Sequence, residues 1–143
     1  MYNALRLTGH PVSYSYLTYQ AETAPGAQMM YGAFGTNPYK LGTIMEKNGA
    51  TVTQYGSAQA LDEAMKVGSV AVVSSWNSNV SMFEELHTYT VQKTDEGLMW
   101  YNYNTIAETT LQSGKDKGIK GTVQATLETA DKHPAFVVGY IVK

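Results

Sequence analysis

The chain has 143 residues, a length typical of one domain with a single hydrophobic core. Ten Lys and Arg residues against 12 Asp and Glu residues give a net charge of −2. The basic residues are scattered, which argues against nucleic acid as a partner. No apolar run reaches the length of a membrane span, and no signal peptide is visible, so we expect no membrane span and assign no compartment. Cysteine is absent, which excludes disulfides and a cysteine nucleophile within these residues.

The first half of the sequence predicts mainly helices. Ser13, Asn37 and Ser57 are residue types that cap the amino ends of helices, and Pro38 suits the first helical position. The first segment lacks such a cap, so it is interpreted as the tail of a helix whose front half lies upstream of Met1. The predicted helices run over 1–8, 13–23, 37–49 and 57–67, with a glycine-rich loop over 26–35.

The second half predicts mainly strands. The turn residues 94–97 separate two strand patterns and indicate a hairpin. The predicted strands run over 51–55, 70–73, 86–93, 98–103 and 135–142, and two further helices are predicted over 106–113 and 123–130. Helices first and strands afterwards favour an α+β domain with a largely antiparallel sheet, formed by residues 1–143 as one unit.

His87 is the histidine whose surroundings favour chemistry. His10 and His133 lie in predicted loops beside prolines, without a partner nearby in the sequence. A two-residue turn at 95–96 would place His87 opposite Asn104 and diagonal to Asn102, on one face of the hairpin. An amide oxygen that accepts from one ring nitrogen would leave the other nitrogen to take a proton from a nucleophile. A bulge at the turn would break this alignment, and an ordinary strand histidine is the alternative.

Three segments resemble the second half of papain-like cysteine peptidases, most closely the bacterial branch related to bacteriocin-leader (double-glycine) peptidases. They read VAVVSSWN at 70–77, LHTYTV at 86–91 and GLMWYN at 97–102. The patterns YNALRL at 2–7 and GAFGTNPY at 32–39 are similar to the front of that branch. The resemblance implies a papain-like fold with helices packed on an antiparallel sheet, peptide or protein substrates, His87 as general base and Asn102 as its orienting residue.

The nucleophile is the part that the resemblance implies and this sequence lacks. In such enzymes a cysteine stands at the amino end of the long first helix, which would fall upstream of Met1. Either the chain is a shortened form of a peptidase, which we prefer, or it is a pseudo-peptidase that has lost its nucleophile. In both cases these residues are not expected to hydrolyse peptides by a thiol route. A non-catalytic peptide- or protein-binding module is the alternative function.

Three secondary expectations accompany this interpretation. Trp76 and Asn77 follow an apolar strand and are candidates for substrate binding beside His87. Glu84 and Glu85 lie near His87 without a second histidine, so we expect neither a metal nor a cofactor. A helix cut through its middle would bare apolar surface, so we expect self-association into a homo-oligomer.

Overall fold

The computed structural model describes residues 1–29, 36–77, 86–101, 111–113, 121–130 and 134–143. Its helices are α1 (Tyr2–Leu7), α2 (Tyr14–Thr23), α3 (Leu41–Lys47), α4 (Ala58–Ala64) and α5 (Val123–Ala130). Its strands are β1 (Val52–Tyr55), β2 (Val70–Asn77), β3 (Leu86–Thr94), β4 (Gly97–Tyr101), β5 (Leu111–Ser113) and β6 (Pro134–Val142). The mixed α+β class predicted from the sequence is confirmed.

The described strands form one six-stranded sheet in the order β1-β6-β2-β3-β4-β5. Every neighbouring pair is antiparallel. The β2 strand lies at the centre between β6 and β3, as its run of apolar residues predicted. The register of β2 with β6 shifts between Ser74, which pairs with Val138, and Ser75, which pairs with Phe136, so Val137 of β6 is the extra residue of a β-bulge.

Helices cover both faces of the sheet and divide the core into two clusters. On the first face, Val72 and Tyr140 pack with residues of α1, α2 and α3. On the second face, Val73 and Val91 pack with residues of α4 and α5. The division follows from strand geometry, because successive side chains of a strand point to opposite faces. The sheet therefore lies between two helical layers.

Glycine permits close approach of a helix on each face. A Cβ on Gly42 of α3 would lie 2.8 Å from Tyr140 Cε1, and a Cβ on Gly139 of β6 would lie 2.6 Å from Leu61 Cδ2 of α4. Both distances are too short for carbon atoms in ordinary contact. The missing side chains thus let α3 and α4 pack tightly on the sheet.

The predicted helix starts are confirmed by their capping hydrogen bonds. Ser13 Oγ accepts from Tyr16 N at 3.2 Å, and Ser57 Oγ accepts from Ala60 N at 3.2 Å. Asn37 Oδ1 accepts from Tyr39 N at 3.0 Å, although the first turn there, Pro38–Lys40, is a 3₁₀ helix that leads into α3. These short side chains satisfy backbone N–H groups that a helix leaves unpaired.

Two sequence predictions are wrong. The helix predicted over 57–67 ends at Ala64, because Met65 adopts an extended conformation with φ −74° and ψ 123°. Residues 111–113, predicted as the end of a helix, form β5, which pairs with β4. Pairing with β4 has here outweighed the local preference of these residues for a helix. The rest of the predicted 106–113 helix lies outside the described residues.

The α5 helix is attached to the domain at its amino end by two polar contacts. Both carboxylate oxygens of Asp62 accept from Val123 N, at 2.8 and 2.9 Å. Lys93 Nζ of β3 donates to Gly121 O at 2.9 Å. Desolvation by burial raises the pKa of Asp62, although the backbone hydrogen bonds and the nearby Lys93 charge oppose that rise. An α4 carboxylate and a β3 ammonium group therefore join the amino end of α5 to α4 and to the sheet.

Candidate functional site

His87 is the second residue of β3 and lies half-buried near one end of the sheet. Its neighbour across the β2–β3 ladder is Ser75, which is fully buried. Tyr89, two residues further along β3, packs in the second core cluster. The side chain of His87 therefore belongs to the same face, which α4 and α5 cover. The imidazole ring is thus held at the edge of the second core cluster.

The register of the β3–β4 hairpin is the one predicted from the sequence. Thr94 pairs with Gly97 across a two-residue turn, and Val91 pairs with Trp100. Gly97 adopts a φ of +140°, and Thr94 Oγ1 donates to its carbonyl oxygen at 2.9 Å, yet no register shift occurs over the described pairs. Asn102 and Asn104, the predicted partners of His87, lie outside the described residues.

An edge-to-face row of aromatic rings leads from the core to His87. The Trp100 and Tyr89 rings are 5.8 Å apart between centroids, with an interplanar angle of 88°. The Tyr89 and His87 rings are 5.5 Å apart, with an angle of 60°. Tyr89 is 1% exposed and Trp100 is 2% exposed. The sequence analysis did not single out Tyr89, although Tyr89 follows His87 at the two-residue spacing that shares a strand face.

The predicted substrate-binding residues lie at the end of β2. Trp76 is half-buried and pairs with Leu86 of β3 and Ala135 of β6. It follows Ser75, so its side chain belongs to the face opposite to that of His87. The backbone of Asn77 pairs with Pro134, and its side chain lies outside the described part of the chain.

The face opposite to His87, on which α1 packs, carries a row of buried and half-buried hydroxyl groups on β2 and β3. Ser74 Oγ and Thr88 Oγ1 are 2.8 Å apart, and Ser74 is fully buried. Thr90 follows on the same face, and its Oγ1 has no hydrogen-bond partner among the described residues. Sequence reasoning missed this row, which alternates along β3 with His87 and Tyr89.

The α1 helix packs on that opposite face, where its residues Ala4 and Leu5 are fully buried with the first core cluster. Met1 and Tyr2 also pack against this cluster. The amino end of α1 therefore lies on that face, and the sheet separates α1 from His87.

The remaining predicted features lie elsewhere. His10 follows α1, and a Cβ on Gly49 would lie 3.3 Å from its Nδ1 atom. His133, Glu84 and Glu85 lie outside the described residues. Among the residues that the structure describes, no group of three or more His, Asp or Glu side chains is arranged to hold a metal ion. The helices of the described ranges include none that could cross a bilayer.

No protein-family model and no curated protein matches this chain.

Proposed function

We propose that this chain is a papain-like cysteine peptidase-type domain that acts on peptide segments. His87 would serve as the general base, and Asn102 or Asn104 would orient its imidazole ring. The base would take the proton of a thiol through one ring nitrogen, while the other ring N–H donates to the amide oxygen. The thiol is not among the 143 residues, so the chain alone is proposed to bind peptides without cleaving them.

One observation carries most of this proposal: a half-buried histidine stands at the end of a hairpin that has the predicted register. A general base needs a fixed ring with one nitrogen accessible to its reaction partner. A fully buried ring lacks that access, and a fully exposed one lacks fixed orientation. The position of His87 between these extremes supports the proposed role.

The fold also restricts the path by which a nucleophile could reach His87. Because α1 and His87 belong to opposite faces, a thiol carried ahead of α1 can approach His87 only by passing around the border of the sheet. The nearest part of that border is the end of the sheet where β2 finishes and β3 begins, since His87 itself lies there. We therefore propose that the reaction centre lies at that end of the sheet.

The test begins with the gene sequence that precedes Met1. The proposal expects an in-frame cysteine within about one or two helical turns upstream, and hydrolysis of an unstructured peptide substrate by the chain that includes it. His87→Gln should lower kcat of that chain by roughly 10³-fold or more, as loss of a triad member does. His10→Gln is the matched control and should leave the rate unchanged. Equal rates for the two variants would refute the assignment of His87.

A non-catalytic binding module is the second candidate, and the absence of cysteine from these residues favours it. In that case the upstream position would hold Ser, Ala or Gly, and no variant would change a rate. The module would still bind unstructured peptides, which nuclear magnetic resonance can detect as shifts of the His87 ring signals. Binding without hydrolysis in the upstream-extended chain would select the module over the peptidase.

A further inference from the structure

We infer that Tyr89 is a positioning residue for His87, and that Trp100 holds Tyr89 in place. The consequence for catalysis rests on the proposed function, but the contact itself does not. The aromatic row of His87, Tyr89 and Trp100 joins the candidate base to the buried second core cluster.

Strand geometry brings these rings together. His87 and Tyr89 are two residues apart on β3, so both side chains belong to the same sheet face. Trp100 lies on β4 opposite Val91, the next residue of β3 on that face. Tyr89 therefore lies between the other two rings, and it meets each of them edge to face. This arrangement suits the charge distribution of aromatic rings, whose edges are positive and whose faces are negative.

Close packing fixes the Tyr89 ring. Tyr89 and Trp100 are almost wholly buried, within a cluster that α4 and α5 cover. Protein interiors are packed as densely as organic crystals, so a buried ring of this size has little freedom to change rotamer. The half-buried His87 ring lies against this fixed surface on one side. On the β2 side its directly paired neighbour is Ser75. Tyr89 is the large neighbour on β3 that packs edge to face against the imidazole ring.

The test is nuclear magnetic resonance on the 143-residue chain with isotope-labelled histidine. His87→Gln assigns the His87 signals, and His10 and His133 are internal references in the same spectrum. We expect cross-peaks between the His87 and Tyr89 ring protons, ring-current displacement of the His87 signals, and nitrogen shifts that correspond to one tautomer. Tyr89→Leu should remove most of the displacement and average the His87 tautomers, with the His10 signals unchanged. Tyr89→Phe should restore the wild-type pattern, because it keeps the ring.

Two results would overturn the inference. One is a folded Tyr89→Leu protein in which the His87 signals and tautomer match those of the wild type. The other is the absence of His87–Tyr89 cross-peaks in the wild type, a result that does not require any variant to fold. Neither measurement depends on hydrolysis. The positioning role can therefore hold if the peptidase proposal fails, and it can fail while that proposal holds.

Discussion

Asp62→Ala should destabilise the domain, because it removes the α4 carboxylate that accepts from the first backbone N–H of α5. Both carboxylate oxygens lie within 2.9 Å of Val123 N. Loss of a helix cap costs about 0.5–2 kcal/mol, and a hydrogen bond to a charged group contributes about 1.5–3 kcal/mol. Relief of the buried charge offsets part of this loss, as the raised pKa of Asp62 indicates. We expect a net loss of about 1–2 kcal/mol.

Urea and thermal unfolding followed by circular dichroism at neutral pH measure this loss. For a domain of this size the change corresponds to a fall in Tm of roughly 3–8 °C. Asp62→Asn keeps one acceptor oxygen and should cost less than Asp62→Ala. Glu63→Ala removes a carboxylate from the next position of α4, where it accepts an exposed hydrogen bond from Gln59, and it should change stability by less than about 0.5 kcal/mol. Equal losses for Asp62→Ala and Glu63→Ala would refute the reasoning.

The pH dependence gives an independent check on Asp62. Its folded-state pKa lies above its unfolded value, so the folded state binds the proton more tightly. The stability linked to this group is therefore fully present below the unfolded pKa and is lost as pH rises through the folded pKa. The Asp62→Asn variant should lack this component when unfolding is compared between acidic and neutral pH. A wild-type component of the opposite sign would contradict the assigned desolvation.

Two further predictions concern the close contacts on each face of the sheet. Gly139→Ala should cost about 1–2 kcal/mol of folding stability, because the added methyl overlaps the buried Leu61 side chain. Gly56→Ala is the matched control, because a Cβ there meets nothing within 4 Å. Equal thermal stability of the two variants would refute the overlap. Tyr140→Phe should cost about 1–2 kcal/mol, because the phenol donates a buried hydrogen bond to Pro38 O at 3.0 Å. Burial raises the pKa of Tyr140 from 10 to about 12. The wild type should therefore lose the linked stability as pH rises from 10 toward 12, whereas Tyr140→Phe should show no such loss. Indistinguishable alkaline unfolding of the two proteins would count against the raised pKa.

Local signals in the sequence predicted much of the secondary structure correctly. Ser13 and Ser57 marked helix starts because a side-chain oxygen can satisfy an N–H group only a few residues away. The hairpin register followed from the length of its turn, which fixes the residues that face each other. By contrast, β5 was missed because its pairing partner, β4, lies about ten residues away and nothing within 111–113 reports it.

The candidate site was predictable only in part, for the same reason. The two-residue spacing placed residues 87, 102 and 104 on one face of a hairpin, and the register of its described pairs agrees with that prediction. The spacing did not show that Tyr89 and Trp100 meet His87 in one aromatic row. It also did not show that α1 lies on the opposite face.

The sequence by itself determined the α+β class, most helix starts and the hairpin register, because each depends on interactions between residues close together in the chain. Tertiary structure alone decided which face each helix covers, where β5 and β6 join the sheet, and which rings surround His87. Those outcomes depend on burial of apolar surface among segments far apart in the chain. Such burial is a property of the whole packed core, and a local sequence pattern does not record it.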